Sequence, residues 1–536
     1  MLGAVVLRLK GKNMARLMPG WLSRCVLLLA IAAPLAVSAQ ENNNLLPETM
    51  LRRYGLKRAW FAQVQLDGSR GKLTFLSQHI SQARAYTVFE VSYDDKVIPF
   101  SEREIDRFGE MVGKERAQKM AEEKMQLLVR SLKKPKLATK VYPDITLVAQ
   151  TDRGVLHVLD GETGRTRWVV SIGDPRHPST SASANDKYVA VCHGSKLFVY
   201  DLDTGKAYFE KQLGSAPGAG PAMGGDLVYV PLINGRLEGY HLKKPETPPW
   251  IYQASGRCLI TPTISPASMN LVTDRGYMYV AMLDQAFVRF KFEAHDTSVA
   301  PATFSHRQLY LSSTDGYTYA VHEVSGNQVW RFSTGEPILQ SPIPIGDEVF
   351  VATDRAGMYS VAADSGQERW WTPSVRQVLG ASKDRLYTLD DSLRIGILDR
   401  KTGGRVGSLP AARLDLWYSN WATDRLYLAT KSGLIQCIHE TPYDHPLIHL
   451  STEDATKPDP KKKPMGDKEN PFGGVGGEKP MQPMEADPFG AGGDKPAPMP
   501  MPPMTDDPFA APPAGGAPKP PMPMPPAMAD DPFAPK

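Results

Sequence analysis

The middle of the chain repeats one short pattern, in which an apolar strand, a tight turn and a second apolar strand follow one another. Eight such turns, built on Asp, Asn, Ser or Gly, recur about 40 residues apart. They are Thr151–Gly154, His193–Ser195, Asn234–Gly235, Asp274–Gly276, Asp315–Gly316, Asp354–Gly357, Asp391–Ser392 and Ser432–Gly433. An interval of this length holds four short strands, the size of one β-propeller blade. The spacing therefore predicts an all-β ring of radial sheets and argues against a helical solenoid.

A second turn recurs in these units and is followed by a large aromatic ring. In the first unit, Asp160, Thr163 and Gly164 form the turn, and Trp168 comes four residues after the glycine. The same spacing joins Gly326 to Trp330 and Gly366 to Trp370. A ring of this size buries roughly 150–250 Å², so one per blade can bridge neighbouring sheets. The pattern Asp-x-x-Thr-Gly-x-x-x-Trp resembles the tryptophan-docking repeat of the PQQ-like (quinoprotein-type) β-propellers, and the resemblance covers about residues 141–440.

The repeats are uneven. Phe209 replaces the tryptophan of the second unit, and Gly407 stands where the seventh unit should carry its ring. The third and fourth units lack the Thr-Gly pair altogether. Eight turns favour a PQQ-like propeller of eight four-stranded blades, and the uneven repeats leave seven open.

The last unit ends after its third strand, so an earlier segment should supply the fourth and close the ring. An open ring would leave two bare sheet edges, which are templates for aggregation. Three strand-like segments precede the repeats: Ala59–Leu66, Lys72–Leu76 and Tyr86–Tyr93. We expect one of them to complete the last blade. The alternative is that they form a separate small β meander.

The chain begins with the features of a secretory signal peptide. Five basic residues precede an apolar stretch, Val26–Val37, and Ser38-Ala39 offers a small-residue cleavage site. No later segment supplies 18 consecutive apolar residues, so we expect no transmembrane span in the mature chain. The predicted location is therefore export to the periplasm or cell envelope.

These signals divide the chain into five parts. They are a signal peptide (1–39), an N-terminal β extension (40–100), an amphipathic helix (101–134), the propeller (135–445) and a disordered tail rich in Pro, Gly and Met (446–536). For the helix, Ser101 and Glu104 read as a capping box, apolar residues recur from Ile105 to Leu132, and Pro135 stops it. Such a helix could pack on the ring or meet a partner.

The tail repeats a tripeptide of an acidic or amide residue, Pro and Phe. Its four copies begin at Asn470, Asp487, Asp507 and Asp531. A single aromatic next to a proline is a plausible anchor for a partner's pocket, and several copies add avidity. The repeats are therefore candidate docking sites, and low-complexity drift is the alternative.

Charge argues against nucleic-acid binding. The chain has 62 basic and 58 acidic residues, and the predicted signal peptide contains five basic and no acidic ones. Its removal leaves a net charge near −1, so the electrostatic support for a nucleic-acid partner disappears.

The cysteine and histidine residues do not form a pattern that predicts a catalytic or metal site. Cys25 lies in the predicted signal peptide, and Cys192, Cys258 and Cys437 are too far apart for a disulfide framework, which predicts buried thiols. His439, His445 and His449 with Asp444 crowd eleven residues, but Pro442 and Pro446 prevent the helix that would align them as metal ligands. We therefore assign no catalytic, cofactor-binding or metal-ligating residue and predict no cofactor.

Two function classes remain. The first is a non-enzymatic envelope scaffold that binds proteins through the propeller faces and the tail repeats, similar to the propeller of bacterial outer-membrane assembly factors of the BamB type, with peripheral membrane contact left open. The second is a PQQ-dependent dehydrogenase. The resemblance implies a vicinal cysteine pair and a calcium site for such enzymes, yet no two cysteines are adjacent here. The sequence favours the scaffold.

Overall fold

The computed structural model describes residues 44–450, apart from 67–70, 95, 132, 284–286 and 356. Over these ranges, 33 strands form eight antiparallel sheets, and two helices lie outside the sheets. The architecture is the eight-bladed propeller that the eight turns predict. The predicted signal peptide and the predicted tail beyond residue 450 lie outside the described residues and stay predictions.

The N-terminal part of the chain contributes to two blades and to an extension. Its elements are α1 (Glu48–Arg53), β1 (Leu56–Gln63), β2 (Leu73–Tyr93), β3 (Lys96–Ser101), α2 (Lys114–Arg130), β4 (Lys136–Thr151), β5 (Val155–Asp160) and β6 (Thr166–Ser171). Blade 1 consists of the first half of β2, the second half of β4, then β5 and β6. Segments that the sequence assigns to an N-terminal extension are thus strands of the ring.

Six blades follow, each built from four consecutive strands that run from the channel outward. Blades 2 and 3 are β7 (Ser183–Ala184), β8 (Tyr188–His193), β9 (Lys196–Asp201), β10 (Ala207–Gln212), β11 (Ala222–Gly224), β12 (Leu227–Pro231), β13 (Arg236–His241) and β14 (Trp250–Gln253). Blades 4 and 5 are β15 (Thr263–Ile264), β16 (Ser268–Val272), β17 (Tyr277–Met282), β18 (Val288–Glu293), β19 (Thr303–Ser305), β20 (Gln308–Ser312), β21 (Tyr317–His322) and β22 (Gln328–Ser333). Blades 6 and 7 are β23 (Ile343–Ile345), β24 (Glu348–Ala352), β25 (Gly357–Ala362), β26 (Glu368–Pro373), β27 (Gln377–Ala381), β28 (Arg385–Leu389), β29 (Arg394–Asp399) and β30 (Arg405–Pro410).

Blade 8 closes the ring with strands from both ends of the described chain. It contains β31 (Leu416–Trp417), β32 (Leu426–Ala429) and β33 (Leu434–Glu440), and β1 is its outer strand. The pairing of β1 with β33 runs from Leu56 opposite Glu440 to Gln63 opposite Leu434. The expected closure by an N-terminal segment is therefore confirmed, and the blade count is eight.

Neighbouring blades are joined by an aromatic ring that rests on a glycine. The indole N–H of Trp168 donates a hydrogen bond to the carbonyl of Leu202 in blade 2 at 2.7 Å. A Cβ atom on Gly205 would lie only 2.6 Å from that indole, so only glycine allows the ring to approach. The contact repeats with Trp330 on Gly366 and Trp370 on Gly403. Blades 1, 5 and 6 therefore carry the predicted bridging ring.

Two joints depend on residues that lie before the repeats. Trp60 in β1 rests on Gly164 of blade 1 and donates to the carbonyl of Gly161 at 3.1 Å. Blade 7 lacks its own ring because its sequence has Gly407 there, and the ring of Tyr54 packs against that glycine instead. The N-terminal segment therefore supplies both the last outer strand and two missing aromatic contacts.

We call residues 82–143 the arm, because this part of the chain leaves the ring between two strands of blade 1. The second half of β2, β3 and the first half of β4 form a three-stranded antiparallel ribbon. Helix α2 packs on one face of the ribbon, where Phe89 and Val91 meet Ala117, Ala121 and Leu128. The arm thus has a small hydrophobic core of its own.

The predicted start of the helix at Ser101 is wrong. Ser101 ends β3, and α2 begins at Lys114 after the loop 102–113. Gly109 and Gly113 in this loop have φ values of 86° and 74°, which a helix does not permit. The apolar spacing that predicts one long helix therefore belongs partly to a loop, and the predicted capping box does not form.

We predict that Trp60→Ala lowers the free energy of unfolding by about 3–5 kcal/mol, because it removes a ring that is 7% exposed from the closing joint. The matched control is Trp371→Ala in β26, whose ring is 51% exposed; its cost should stay below about 1 kcal/mol. Urea denaturation followed by circular dichroism measures both. Equal losses for the two variants would contradict the assigned role of Trp60.

Candidate protein-binding site between the arm and the ring

A cleft of about 680 Å³ lies where the arm meets blades 1 and 8. The arm lines it with Tyr86, Arg103 and Met111, and the ring contributes Glu162 and Arg425. Glu162 belongs to the Asp-x-x-Thr-Gly turn of blade 1, so the arm contacts the same repeat motif that receives Trp60. Residues from widely separated parts of the chain therefore share this site.

The base of the arm is held by three arginines around one buried carboxylate. Asp144 is fully buried and lies 2.6 Å from Arg103, 2.8 Å from Arg167 and 3.4 Å from Arg84. Burial alone would raise the pKa of Asp144, but hydrogen bonds and positive charge from Arg167 and Arg103 outweigh it and lower the pKa. The carboxylate stays ionised, and it joins Arg84 and Arg103 of the arm to Arg167 of blade 1.

A second contact joins the arm to the docking turn of blade 1. The hydroxyl of Tyr86 donates a hydrogen bond to Glu162 Oε2, and the guanidinium of Arg103 stacks over the Tyr86 ring at 4.5 Å. Glu162 Oε1 is buried and has no hydrogen-bond partner among the described residues. Burial raises the pKa of Glu162. Glu162 therefore holds Tyr86 of the arm against the turn of blade 1.

The segment after β33 forms the third side of the cleft. Arg425, which is 3% exposed, donates to the carbonyls of Tyr443 at 3.0 Å and Asp444 at 2.7 Å. The ring of His445 stacks on Tyr142 of the arm, with centroids 4.4 Å apart. The segment 446–450, which the sequence assigns to the tail, continues along the ring; Ile448, for example, pairs with Thr423.

The loop 102–113 presents exposed apolar side chains at the rim of the cleft. Ile105 is 41% exposed, and Phe108 and Met111 are each 72% exposed. Asp106 holds the loop, because its carboxylate accepts the backbone N–H of Phe108 at 2.8 Å and of Glu110 at 3.1 Å. These backbone hydrogen bonds are the main reason that the pKa of Asp106 is lowered. The loop therefore has a fixed shape that displays Phe108.

The three histidines that crowd the end of the repeats are directed to separate places. His439 Nδ1 lies 3.0 Å from the carbonyl of Glu440, and His449 Nε2 lies 2.8 Å from the carbonyl of Ala381. His445 stacks on the arm, as described above. Across the described ranges, no three His, Cys, Asp or Glu side chains come together in a way that could hold a metal ion.

The cysteines of the described chain are free and buried, as predicted. Cys192, Cys258 and Cys437 lie in blades 2, 4 and 8 or at their edges. Burial raises the pKa of each thiol to about 12. They therefore stay protonated and pack as small apolar residues. Cys25 lies outside the described residues.

Sequence reasoning missed both the cleft and the loop. The cleft gathers Tyr86, Glu162 and Arg425 from separate parts of the chain, and no local sequence pattern connects them. The apolar spacing around Phe108 predicts a helix face, whereas the structure has a loop there. The one available signal was Gly109 and Gly113, because two glycines are poor helix residues.

The buried carboxyl of Asp424, next to Arg425, makes the stability of the fold depend on pH. Its side chain is nearly fully buried; Oδ1 accepts the Leu447 N–H at 3.0 Å, and Oδ2 lies 3.6 Å from Arg425. Burial raises its pKa from 3.8 to about 6, although Arg425 opposes the shift. Because this pKa is higher in the folded state, the ionised carboxylate costs stability above pH 6, and the cost disappears as the pH falls from about 6 to 4.

We therefore predict that Asp424→Asn is more stable than the unmodified chain at pH 7.5, by about 1–2 kcal/mol. The advantage should shrink through pH 5 and vanish near pH 4. Urea denaturation of both proteins at the three pH values measures the difference. A loss of stability at pH 7.5 would show that the Arg425 pair outweighs burial.

None of the helices in residues 44–450, over the described ranges, has the length and apolar character that a membrane crossing requires. Among curated proteins, no sequence matches the chain.

Solved structures of similar shape include BamB from Moraxella catarrhalis, with 15% sequence identity and a TM-score of 0.46 over 55% of this chain and 93% of that one. The designed protein Ika8 follows with 13% identity and a TM-score of 0.45, covering 55% and 93%. The C-terminal WD40 domain of Sif2 gives 12% identity and a TM-score of 0.45, covering 55% and 92%.

One sequence family matches the repeats directly. Its model, described as outer membrane protein assembly factor BamB, matches residues 126–240, 152–289 and 314–433. Together these segments make up just over half of the chain and include all eight of the turns on which the fold prediction rests. With its eight blades and docked tryptophans, the chain belongs to the BamB family of PQQ-like β-propellers.

Proposed function

We propose that the chain is an exported, non-enzymatic β-propeller scaffold that binds partner proteins in the cell envelope, and that the cleft with the loop 102–113 is its main contact site. The observation that carries the proposal is the exposure of Phe108 and Met111 on a loop fixed by Asp106. The family description, an outer membrane protein assembly factor, supports a role in assembling proteins.

The loop has the physical properties of a protein-binding surface. Aromatic residues and methionine are enriched where proteins contact one another, and a few such anchors carry most of the binding energy. Because Asp106 already orders the loop, little conformational entropy is lost when Phe108 is buried by a partner.

Two observations support a scaffold over a dehydrogenase. The chain has no adjacent cysteines, and the thiols of Cys192, Cys258 and Cys437 are buried with raised pKa values. The polar groups of the cleft are engaged mainly in holding the arm, as the three arginines around Asp144 show. Export rests on the signal-like segment 1–39 together with the family description.

We predict that the double variant Phe108→Ser, Met111→Ser weakens partner capture from envelope extracts at least tenfold without changing the melting temperature by more than about 2 °C. The matched control is Val324→Ser, Val406→Ser, because these side chains are 47% and 52% exposed on other blades. Photo-crosslinking from position 108 and from position 406 identifies the contacting protein. Equal crosslinking from both positions would contradict the assigned site.

We also predict that the purified mature chain shows no alcohol-dependent dye reduction after incubation with PQQ and Ca²⁺. The reason is the missing vicinal cysteine pair. A known quinoprotein dehydrogenase treated in the same way is the positive control. Measurable turnover by this chain would overturn the non-enzymatic assignment.

A further inference from the structure

A separate cavity of about 310 Å³ lies inside the central channel, away from the arm. It is formed by the inner strands of blades 4 to 8 and by the segment 417–421 of blade 8. Its fifteen lining residues, all from the described chain, include no Asp, Glu, Lys, Arg or His. The cavity therefore differs sharply from the charged cleft, and the proposed protein-binding function does not use it.

Hydroxyl groups in the cavity are oriented by the backbone. Thr263 donates to the carbonyl of Ala302 at 2.6 Å, and Thr303 donates to the carbonyl of Pro342 at 2.6 Å. Ser341 and Ser419 likewise donate to backbone carbonyls, at 2.8 and 2.7 Å. Each hydroxyl proton is already used, so the oxygen atoms can make further hydrogen bonds only as acceptors, and Ser419 Oγ already accepts one from the Gln377 amide at 2.8 Å. A ligand that fits them must supply hydrogen-bond donors.

Aromatic rings and amides complete the lining. Trp417 and Trp421 offer apolar faces, and Trp421 is held edge-to-face against Phe304 with centroids 5.2 Å apart. Gln340 is exposed, and its amide can both donate and accept. Pockets that combine aromatic faces with a few placed polar groups are typical of small-molecule sites, and this volume lies at the small end of their range.

We propose that this channel cavity binds a neutral mono- or disaccharide. A charged ligand would lose its hydration without gaining a partner of opposite charge, which is costly. A purely apolar ligand would leave the remaining lone pairs of these hydroxyl oxygens unpaired. A sugar satisfies both conditions, because its hydroxyls donate to Thr303, Ser341 and Ser419 while its C–H face packs against an indole ring.

Isothermal titration calorimetry of the full chain tests the proposal with two matched probes. N,N′-diacetylchitobiose is neutral, and chitobiose has the same skeleton with two ammonium groups. We expect the neutral sugar to bind with a Kd on the order of 1 mM or tighter and the cationic one at least tenfold more weakly. Cellobiose serves as a second neutral probe, and its binding would support the same assignment.

Two substitutions in the cavity and one outside it distinguish a loss of sugar binding from a loss of the folded structure. Trp421→Ala and Gln340→Met should each weaken the neutral sugar about tenfold, whereas Trp371→Ala on the outside of blade 6 should leave its affinity unchanged. Gln340 is exposed, so its variant should fold even if the loss of Trp421 destabilises the ring. Absence of sugar binding, unchanged affinity in both cavity variants, or binding of a proline-rich peptide instead would overturn the proposal.

Discussion

The pairing of β1 with β33 is the interaction on which the rest of the molecule depends. It joins residues almost 400 positions apart and removes the two bare edges that an eight-bladed ring would otherwise expose. The contact also brings blade 8 beside blade 1, so it creates both sides of the cleft in which Glu162 and Arg425 lie. The pairing of β1 with β33 therefore both closes the ring and assembles the candidate site.

Docked aromatic rings make the joints between blades rigid, and they explain why the repeats tolerate so much divergence. An indole on a glycine buries a large area and makes one directed hydrogen bond, so each joint needs few conserved positions around it. Where the chain has Gly407 in place of a ring, Tyr54 occupies the space from outside the repeat. The contact is preserved although the residue that makes it comes from elsewhere in the sequence.

The sequence predicts the fold well because its signals are local and repeated. Turns at a fixed interval indicate blades, and the spacing from Gly164 to Trp168 indicates the docking joint. The missing outer strand of the last unit correctly points to the N-terminus. The cleft could not be predicted, since Asp144 and its arginine partners are ordinary charged residues until the arm folds back on the ring. The predicted helix start at Ser101 is wrong because the apolar spacing continues through a loop whose glycines do not permit a helix.

The position of β1 has a consequence for how the protein is made. A ribosome completes β1 early, yet its hydrogen-bonding partner β33 is among the last ring strands to be synthesised. Until then, blades 1 to 7 can pair internally, but β1 lacks the strand with which it pairs. Contacts between such distant segments form slowly. A chain that ends before β33 would therefore leave β1 unpaired, and an unpaired strand edge is a template for aggregation.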